Sequence, residues 1–301
     1  MAAGEKKLEI YDALRWAEEY LKGLGVPDPL AEAEYLLAHI LKCRRVDLFI
    51  NRNRLLEEEE IECFKKFIKK RSEREPSQYI TGEVEFRGII FKVTKDVLIP
   101  RPETEFLVEE AAKIVREQES RVKGHGSWVI VDICTGSGCI AVSMAKEIPD
   151  IKVYATDISE KALFVAKENA KRHGAEDRII FLQGNFLEPL KDRGLEGKID
   201  IILSNPPYVS EKDMEKLQPE IKDYEPLLAL YGGEGGLDSY RTIIPEALNY
   251  LRKGGYLILE IGYGQAEGVK KLFAQNPAYS KIEIIKDLSG IERVVKAKRD
   301  V

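Results

Sequence analysis

The chain has 301 residues, of which 44% are hydrophobic and 33% charged, and its net charge is −5. This composition is typical of a folded protein with one large core or two ordinary domains, and the acidic balance argues against tight non-specific binding to nucleic acid. No apolar run reaches the ~18 residues of a membrane span, and the amino terminus MAAGEKKLEIYD is charged too early for a signal peptide.

The cysteines and histidines form no recognisable ligand set, because they are scattered and contain no C-x-x-C pair. They are Cys43, Cys63, Cys134, Cys139, His39, His125 and His173. We therefore predict no metal site, no disulfide scaffold, and reduced thiols in a cytoplasm.

Residues 5 to about 75 have helical periodicity throughout. One helix ends at Gly23, a second starts at Pro29, and a third starts at the acidic block after Glu57. The basic run 65–71 could bind a polyanion, but a solvated helix face with intrahelical ion pairs is the favoured interpretation. The segment contains no catalytic constellation, which suits a recognition or lid module.

Pro76 is predicted to end the helices, and two β-rich runs follow it over residues 79–93. Arg87 and Gly88 lie between these runs, so we predict a β-hairpin that bridges two domains. The next segment, residues 97–105, leads into a helix that ends near residue 116, with Pro102 in its first turn. Arg101 and Glu103 could contact a ligand, although capping and surface pairing fit their spacing equally well.

Strands and helices alternate strictly after Gly124-His125-Gly126, which predicts a parallel sheet. The predicted strands are 128–133, 152–158, 179–183, 200–205, 255–262, 281–287 and 292–298, and the predicted helices are 139–147, 159–173, 238–251 and 265–275. The last two strands are close enough to form an antiparallel pair. Residues 209–237 form a long loop, and loops of that length usually have a function.

A glycine-containing turn, Cys134-Thr135-Gly136-Ser137-Gly138, follows the first of these strands. Glycines let a ligand approach the backbone at a helix amino end. Asp157 ends the next strand, where it could accept hydrogen bonds from ribose hydroxyls, and Phe186 could cover an adenine face. Both dinucleotides and S-adenosyl-L-methionine present adenosine. The missing GxGxxG spacing favours S-adenosyl-L-methionine, while a purely structural turn remains an alternative for the turn considered alone.

The fourth strand ends in Asn205-Pro206-Pro207-Tyr208. The prolines cannot continue a sheet, so the polar group lies at the carboxyl end of the strand, where ligands bind in open α/β sheets. The Asn205 side chain and the Pro206 carbonyl offer two acceptors, and Tyr208 offers a flat ring. These features suit a planar NH₂ group that accepts a methyl. A simple turn after a strand is the alternative.

With these residues in place, the chain resembles the protein-(glutamine-N5) methyltransferases that modify class-1 peptide chain release factors. The shared motifs are residues 78–82, 98–105, the glycine turn, 205–209, 224–226, 232–238 and 260–262. The resemblance implies a class I S-adenosyl-L-methionine-dependent methyltransferase fold: an α/β, Rossmann-like sheet with an antiparallel C-terminal strand. It further implies a helical recognition domain over 1–76, a β-hairpin linker over 77–94 and a methyltransferase domain over 95–301.

The resemblance also implies the substrate and the roles of the site residues. The substrate would be the glutamine of the GGQ motif in release factors. The residues implied to bind the cofactor are Cys134, Thr135, Gly136, Ser137, Gly138, Asp157, Phe186 and Asn205. Those implied to hold the glutamine are Asn205, Pro206, Pro207 and Tyr208, and the catalytic set is Asn205, Pro206 and Tyr208. Cys134 departs from the glycine that is usual at its position, which puts cofactor affinity in doubt rather than the chemistry.

Two rival functions remain. A nucleic-acid N-methyltransferase, acting on adenine N6 or guanine N2, could use the same NPPY pocket, but it would need a basic, aromatic surface beside it. A non-catalytic S-adenosyl-L-methionine-binding partner of the translation machinery is the other. The expected partner is a release factor, and the expected state is a cytoplasmic monomer without a membrane or a nucleic-acid substrate.

Overall fold

A computed structural model describes residues 8–121 and 127–300, and the side chains of residues 119–121 are not described. The first part of the amino terminus, residues 1–7, and Gly124-His125-Gly126 lie outside the described residues. The described chain forms two compact units: one runs up to Glu83 and includes Gln218–Tyr224, and the other is the remainder. The predicted domain boundaries after residues 76 and 94 stay a prediction.

The first unit is helical. Its helices before residue 84 are α1 (Ile10–Gly23), α2 (Pro29–Leu41), α3 (Arg45–Ile50), α4 (Glu58–Ser72) and α5 (Ser77–Thr81), and its segment 218–224 adds the short helix Pro219–Lys222. The three predicted helices are confirmed, whereas α3 was missed because a six-residue helix carries little periodicity. The unit buries an aliphatic and aromatic core that includes Leu21, Leu36 and Phe64.

The prediction that Pro76 ends the helices is wrong. Pro76 caps the start of α5, a position that suits proline because the first residues of a helix have no intrahelical N–H partner. The predicted β-run from Tyr79 is therefore helical up to Thr81. The hairpin consists of β1 (Glu83–Phe86) and β2 (Ile89–Lys92), with Arg87-Gly88 at its turn as predicted.

The second unit contains a seven-stranded sheet with the order β5-β4-β3-β6-β7-β9-β8. Its strands are β3 (Trp128–Ile133), β4 (Ile151–Asp157), β5 (Ile179–Gln183), β6 (Ile199–Ser204), β7 (Leu251–Glu260), β8 (Tyr279–Lys286) and β9 (Glu292–Arg299). The first five are parallel, while β9 pairs antiparallel with both β7 and β8. The predicted parallel sheet and the antiparallel final pair are confirmed.

Helices cover both faces of this sheet. They are α6 (Glu105–Arg121), α7 (Cys139–Glu147), α8 (Glu160–Arg172), α12 (Asp238–Tyr250) and α13 (Ala266–Ala274). The long loop that the sequence predicted contains three short helices, α9 (Glu211–Met214), α10 (Pro219–Lys222) and α11 (Leu227–Leu230). One core packs α6, α7 and α8 against the sheet, and a second packs α12 and α13 against its other face. Among the described residues, no helix is both long and apolar enough to cross a membrane.

Candidate active site

A cavity of about 340 Å³ lies at the carboxyl ends of β3, β4, β5 and β6. Because the carboxyl ends of parallel strands share one edge of a sheet, residues far apart in sequence meet there. The predicted site residues in its lining are Cys134, Gly136, Asp157, Phe186, Asn205 and Pro207. The lining also contains Asp96, Leu98, Ile158 and Tyr231, to which sequence reasoning gave no role in the site.

The buried Asp132 carboxylate stabilises the glycine turn through hydrogen bonds. The Thr135 hydroxyl donates to Asp132 Oδ2 at 2.6 Å, and the Ala141 backbone N–H donates to the same oxygen at 3.2 Å. Burial raises the pKa of Asp132 to about 7. Thr135 and Ser137 are buried and lie outside the cavity lining, and of the two hydroxyls only that of Thr135 supports the turn through a hydrogen bond to Asp132. Their predicted part in cofactor binding stays a prediction.

Gly138 starts α7 with a φ of +80°, where an added Cβ would lie 3.1 Å from the Ala166 Cβ. This glycine therefore allows α7 and α8 to approach closely. Cys134 is also in the left-handed region, with a φ of +59°. An L side chain is strained in that conformation, whereas the glycine that the resemblance implies at this position would adopt it freely.

Asp157 ties the turn to the next strand. Its Oδ2 accepts the Gly136 N–H and its Oδ1 accepts the Ser159 N–H, each at 2.9 Å. Each carboxylate oxygen has a second acceptor site, so Asp157 can still bind hydroxyl groups that reach it from the cavity. Phe186 lies beside it in the lining, and its backbone carbonyl accepts the Thr156 hydroxyl at 2.8 Å.

Some hydrogen-bond acceptors of the Asn-Pro-Pro-Tyr bend have a protein donor and others have none among the described residues. The Ser239 hydroxyl donates to the Pro207 carbonyl at 2.8 Å, and Gln265 Nε2 donates to the Tyr208 carbonyl at 2.9 Å. Within the described residues, no hydrogen bond reaches the Pro206 carbonyl or Asn205 Oδ1. These two acceptors are the pair that the sequence predicted for an NH₂ group.

A chain of hydrogen bonds fixes the side chains of the bend. Asn205 Nδ2 donates to Thr104 Oγ1 at 3.0 Å, and the Thr104 hydroxyl donates to Glu260 Oε2 at 2.6 Å. The Tyr208 hydroxyl donates to the other carboxylate oxygen of Glu260 at 3.2 Å. Thr104 and Glu260 are 2% and 1% exposed, so water does not compete for these bonds.

Thr104 and Glu260 are residues of the site that sequence reasoning missed. Both belong to the motifs that carry the resemblance, yet their roles depend on contacts across the sheet edge. Tyr208 lies outside the cavity lining, and its ring packs against Gly262, where an added Cβ would lie 3.0 Å from Tyr208 Cδ2. Pro206 is buried and is also outside the lining.

The glycine segment 232–236 packs directly against the bend. An added Cβ on Gly232 would lie 2.7 Å from both the Pro207 carbonyl oxygen and the Tyr208 Cα. One on Gly236 would lie 2.3 Å from the Tyr208 carbonyl oxygen. The segment therefore needs glycine to hold the bend from outside. Nearby, Arg101 Nη2 pairs with Glu225 Oε1 at 2.6 Å, which joins two of the motifs through an ion pair.

A parallel sheet with an antiparallel final pair and a cavity between a glycine turn and an Asn-Pro-Pro-Tyr bend define a class I methyltransferase. The catalytic domain of hMettl16, solved with the MAT2A 3′UTR hairpin 6, has the same fold, with a TM-score of 0.52 over 81% of this chain and 84% of that domain. Its identity of 16% shows the fold alone.

Sequence comparison identifies the family. Residues 12–82 match the PrmC N-terminal domain, and residues 114–221 match the methyltransferase small domain. The chain is 42% identical to the release factor glutamine methyltransferase of Geobacter sulfurreducens over 95% of each chain. It is 40% identical to that of Bacillus cereus over 97% of this chain and 100% of the relative. The chain belongs to the release factor glutamine methyltransferase family.

Proposed function

We propose that the protein methylates the side-chain amide nitrogen, N5, of the glutamine in the GGQ motif of peptide chain release factors, with S-adenosyl-L-methionine as the methyl donor. Family membership supports glutamine over a nucleic-acid base. One structural observation carries the proposal: no donor among the described residues reaches Asn205 Oδ1 or the Pro206 carbonyl, and Asn205 lies in the wall of the cavity. Two such acceptors match the two hydrogens of a carboxamide.

The cavity fits the proposed methyl donor. Gly136 presents backbone to the cavity, since an added Cβ there would meet only the Cys134 carbonyl oxygen at 4.0 Å. Asp157 would hold the ribose hydroxyls, while Ile158 and Phe186 offer apolar walls for an adenine ring. When bound, S-adenosyl-L-methionine supplies an electrophilic methyl group.

The bend would make an amide nitrogen a better nucleophile. The nitrogen lone pair is normally shared with the carbonyl group, the same resonance that gives a peptide bond a rotation barrier of ~18–20 kcal/mol. Hydrogen bonds from the NH₂ group to Asn205 Oδ1 and the Pro206 carbonyl strengthen as positive charge grows on the nitrogen, so they stabilise the transition state more than the ground state. They also hold the amide in one orientation, which lowers the entropic barrier.

Neither Tyr208 nor Cys134 supplies a general base, and the Glu260 carboxylate lies outside the cavity lining. Burial raises the pKa of both the Tyr208 phenol and the Cys134 thiol, so each stays protonated near neutral pH. In the proposed reaction a nitrogen–carbon bond forms and a sulfur–carbon bond breaks. The amide nitrogen then releases its extra proton to water, which is favourable because an N-protonated amide is strongly acidic.

The proposed partner is a release factor, and the proposed location is the cytoplasm, where release factors act. A monomer stays a prediction, which light scattering of the purified protein would test.

The decisive experiment incubates the purified protein with S-adenosyl-L-methionine and a GGQ-containing release factor, followed by peptide mass spectrometry. We expect one added methyl group on the glutamine of the GGQ motif. DNA and RNA with the same donor serve as the comparison. Methylated nucleic acid with an unmodified release factor would contradict the proposal, and cofactor binding without any product would favour a non-catalytic protein.

A further inference from the structure

Asn205 can face the cavity in two ways, and only one of them suits a glutamine. With Oδ1 toward the cavity it accepts a hydrogen bond from an NH₂ group. Turned over, it would present its own NH₂ group, which suits a carboxylate. The two orientations have nearly the same shape, so packing alone selects weakly between them, and neighbouring hydrogen bonds must decide.

The chain from Glu260 to Asn205 makes this decision. An ionised carboxylate only accepts hydrogen bonds, so the single hydroxyl hydrogen of Thr104 goes to Glu260 Oε2 at 2.6 Å. The remaining lone pairs of Thr104 Oγ1 can then only accept, and they take a hydrogen bond from Asn205 Nδ2 at 3.0 Å. Asn205 Oδ1 is left for the cavity. Each bond dictates the direction of the next.

We propose that Glu260 and Thr104 are positioning residues that set the orientation of the Asn205 amide and thereby select glutamine over glutamate. The inference rests on the proposed function and names the source of its specificity. Neither residue lines the cavity, so they act through Asn205. With Asn205 Nδ2 bonded to Thr104, the acceptor Asn205 Oδ1 is the atom left for a ligand in the cavity, and an acceptor there repels a carboxylate.

The charge state of Glu260 should control this orientation. A protonated Glu260 can donate to Thr104, which frees the Thr104 hydrogen for Asn205 Oδ1 and reverses the whole chain. Burial raises the pKa of Glu260 to about 7, and Glu103 adds to this increase, while the hydrogen bonds from Thr104 and Tyr208 and the charge of Arg293 oppose it.

Two other groups face this carboxylate. Tyr240 donates its hydroxyl to the Glu260 backbone carbonyl at 2.9 Å, and Cys139 lies close enough that the charge of Glu260 adds to the increase in the thiol pKa. The ordinary pKa of a tyrosine or a cysteine is well above 7 and burial raises both further, so neither should change charge in this range. Because the ionised form of Glu260 is the competent one, turnover should rise with pH through about 7.

The test compares Thr104→Val with Thr104→Ser in the full-length protein, using a GGQ release factor as substrate and its Gln→Glu variant as competitor. Valine keeps the shape of threonine but removes the hydroxyl. We expect Thr104→Val to lower kcat about tenfold, as for the loss of one buried hydrogen bond, with the cofactor Kd within about twofold. The Gln→Glu release factor should compete about tenfold better relative to substrate. Thr104→Ser should restore most of the wild-type kcat and most of the discrimination against the Gln→Glu release factor.

A second arm measures kcat against pH at saturating cofactor for the wild type and Glu260→Gln. Glutamine has no titratable proton, so we expect the decrease below pH of about 7 to disappear. A purely packing role for Glu260 would leave the pH profile unchanged. This arm also decides the matter if Thr104→Val fails to fold, as judged by its melting temperature and cofactor binding.

Three results would overturn the inference alone: Thr104→Val with wild-type rate and competition, Thr104→Ser as impaired as Thr104→Val, or Glu260→Gln with the wild-type pH profile. A wild-type protein that forms no methylated glutamine would instead overturn the proposed function, and the inference with it. Observing the product with the wild type therefore separates the two failures.

Discussion

The candidate active site has a turn side, residues 134–138 with Asp157, and an amide side, the bend 205–208 with Thr104 and Glu260. The hydrogen bonds that hold the two sides differ greatly in the sequence separation of their partners. On the turn side, Thr135 bonds to Asp132, three residues away, and Gly136 bonds to Asp157, 21 residues away. On the amide side, Thr104 bonds to Glu260 across 156 residues and to Asn205 across 101. The turn side thus forms within two neighbouring β–α units. The amide side forms only when β6 and β7, which end near Asn205 and at Glu260, are paired in the sheet.

This difference teaches where specificity resides. A turn braced by its own strand can be used by any protein that binds adenosine. The amide side needs the segments around Thr104, the glycine segment 232–236 and Glu260, which come from three separate motifs of this family. We therefore expect substitutions on the amide side to affect turnover, and those on the turn side to affect cofactor affinity.

Asn205→Ala should have the largest effect. It removes the side-chain acceptor that we propose for the substrate amide, and we expect kcat to fall about 10²–10³-fold, the range for losing one preorganised polar partner. Cofactor affinity, measured by calorimetry, should change less. A variant that retains more than half of the wild-type turnover on a release factor would remove Asn205 from this role.

Gly232→Ala should rank second. The new Cβ would lie 2.7 Å from backbone atoms of Pro207 and Tyr208, so the bend must shift. Misplacing a reacting group by about 1 Å can lower the rate roughly 10²-fold, and we expect a loss of that order in kcat.

The matched control for this variant is Gly235→Ala, in the same segment. A Cβ on Gly235 meets nothing within 4 Å, so its turnover should stay within about twofold of wild type. Equal losses in both alanine variants would show that the segment is sensitive to any side chain, and the close packing against the bend would not be the cause.

Asp157→Asn tests the turn side. The amide has one acceptor oxygen instead of two, so it cannot keep both backbone bonds and also accept ribose hydroxyls. We expect the cofactor Kd to rise about 10- to 10²-fold, as for hydrogen bonds to a charged group. Turnover at saturating cofactor should change much less. The exposed Asp177→Asn serves as the control. An unchanged Kd would exclude Asp157 from cofactor binding.

Cys134→Gly should have the smallest effect. Glycine adopts a φ of +59° without the strain of about 1 kcal/mol that an L residue bears, but it also gains a similar freedom in the unfolded chain. The free energy of unfolding should therefore change by less than about 1 kcal/mol. Cofactor affinity should rise by at most about threefold as the turn relaxes. Cys134→Ser keeps the Cβ and should match the wild type, and a weaker affinity of the glycine variant would contradict this account.

The sequence was a good guide where structure depends on near neighbours. The strand Trp128–Ile133, helix α7 and the hairpin turn at Arg87-Gly88 all follow from apolar periodicity and glycine positions, and the structure confirms them. The error at Pro76 has the same origin, because proline both ends and begins helices and its sequence position alone does not say which.

The amide side could be predicted only in part. Asn205 and Pro206 follow a buried strand, so their place at the sheet edge was readable from the sequence. Thr104 and Glu260 were not, since one reads as a helix first turn and the other as the end of a strand. Only the folded structure shows that their side chains share a hydrogen bond. Long-range partners of this kind leave no periodic signal in a single chain.

One connection in the fold has a consequence for anyone who shortens this protein. Residues 218–224 belong to the helical unit although they lie between parts of the other unit in sequence. There, Glu220 receives hydrogen bonds from Arg71 at 2.9 Å and Arg74 at 2.7 Å. A fragment that starts after Glu83 would lack both arginines and leave this stretch without its anchor. We therefore expect that removing the helical region would leave residues 218–224 without the ion pairs that fix them. These residues lie in the loop that follows the Asn-Pro-Pro-Tyr bend.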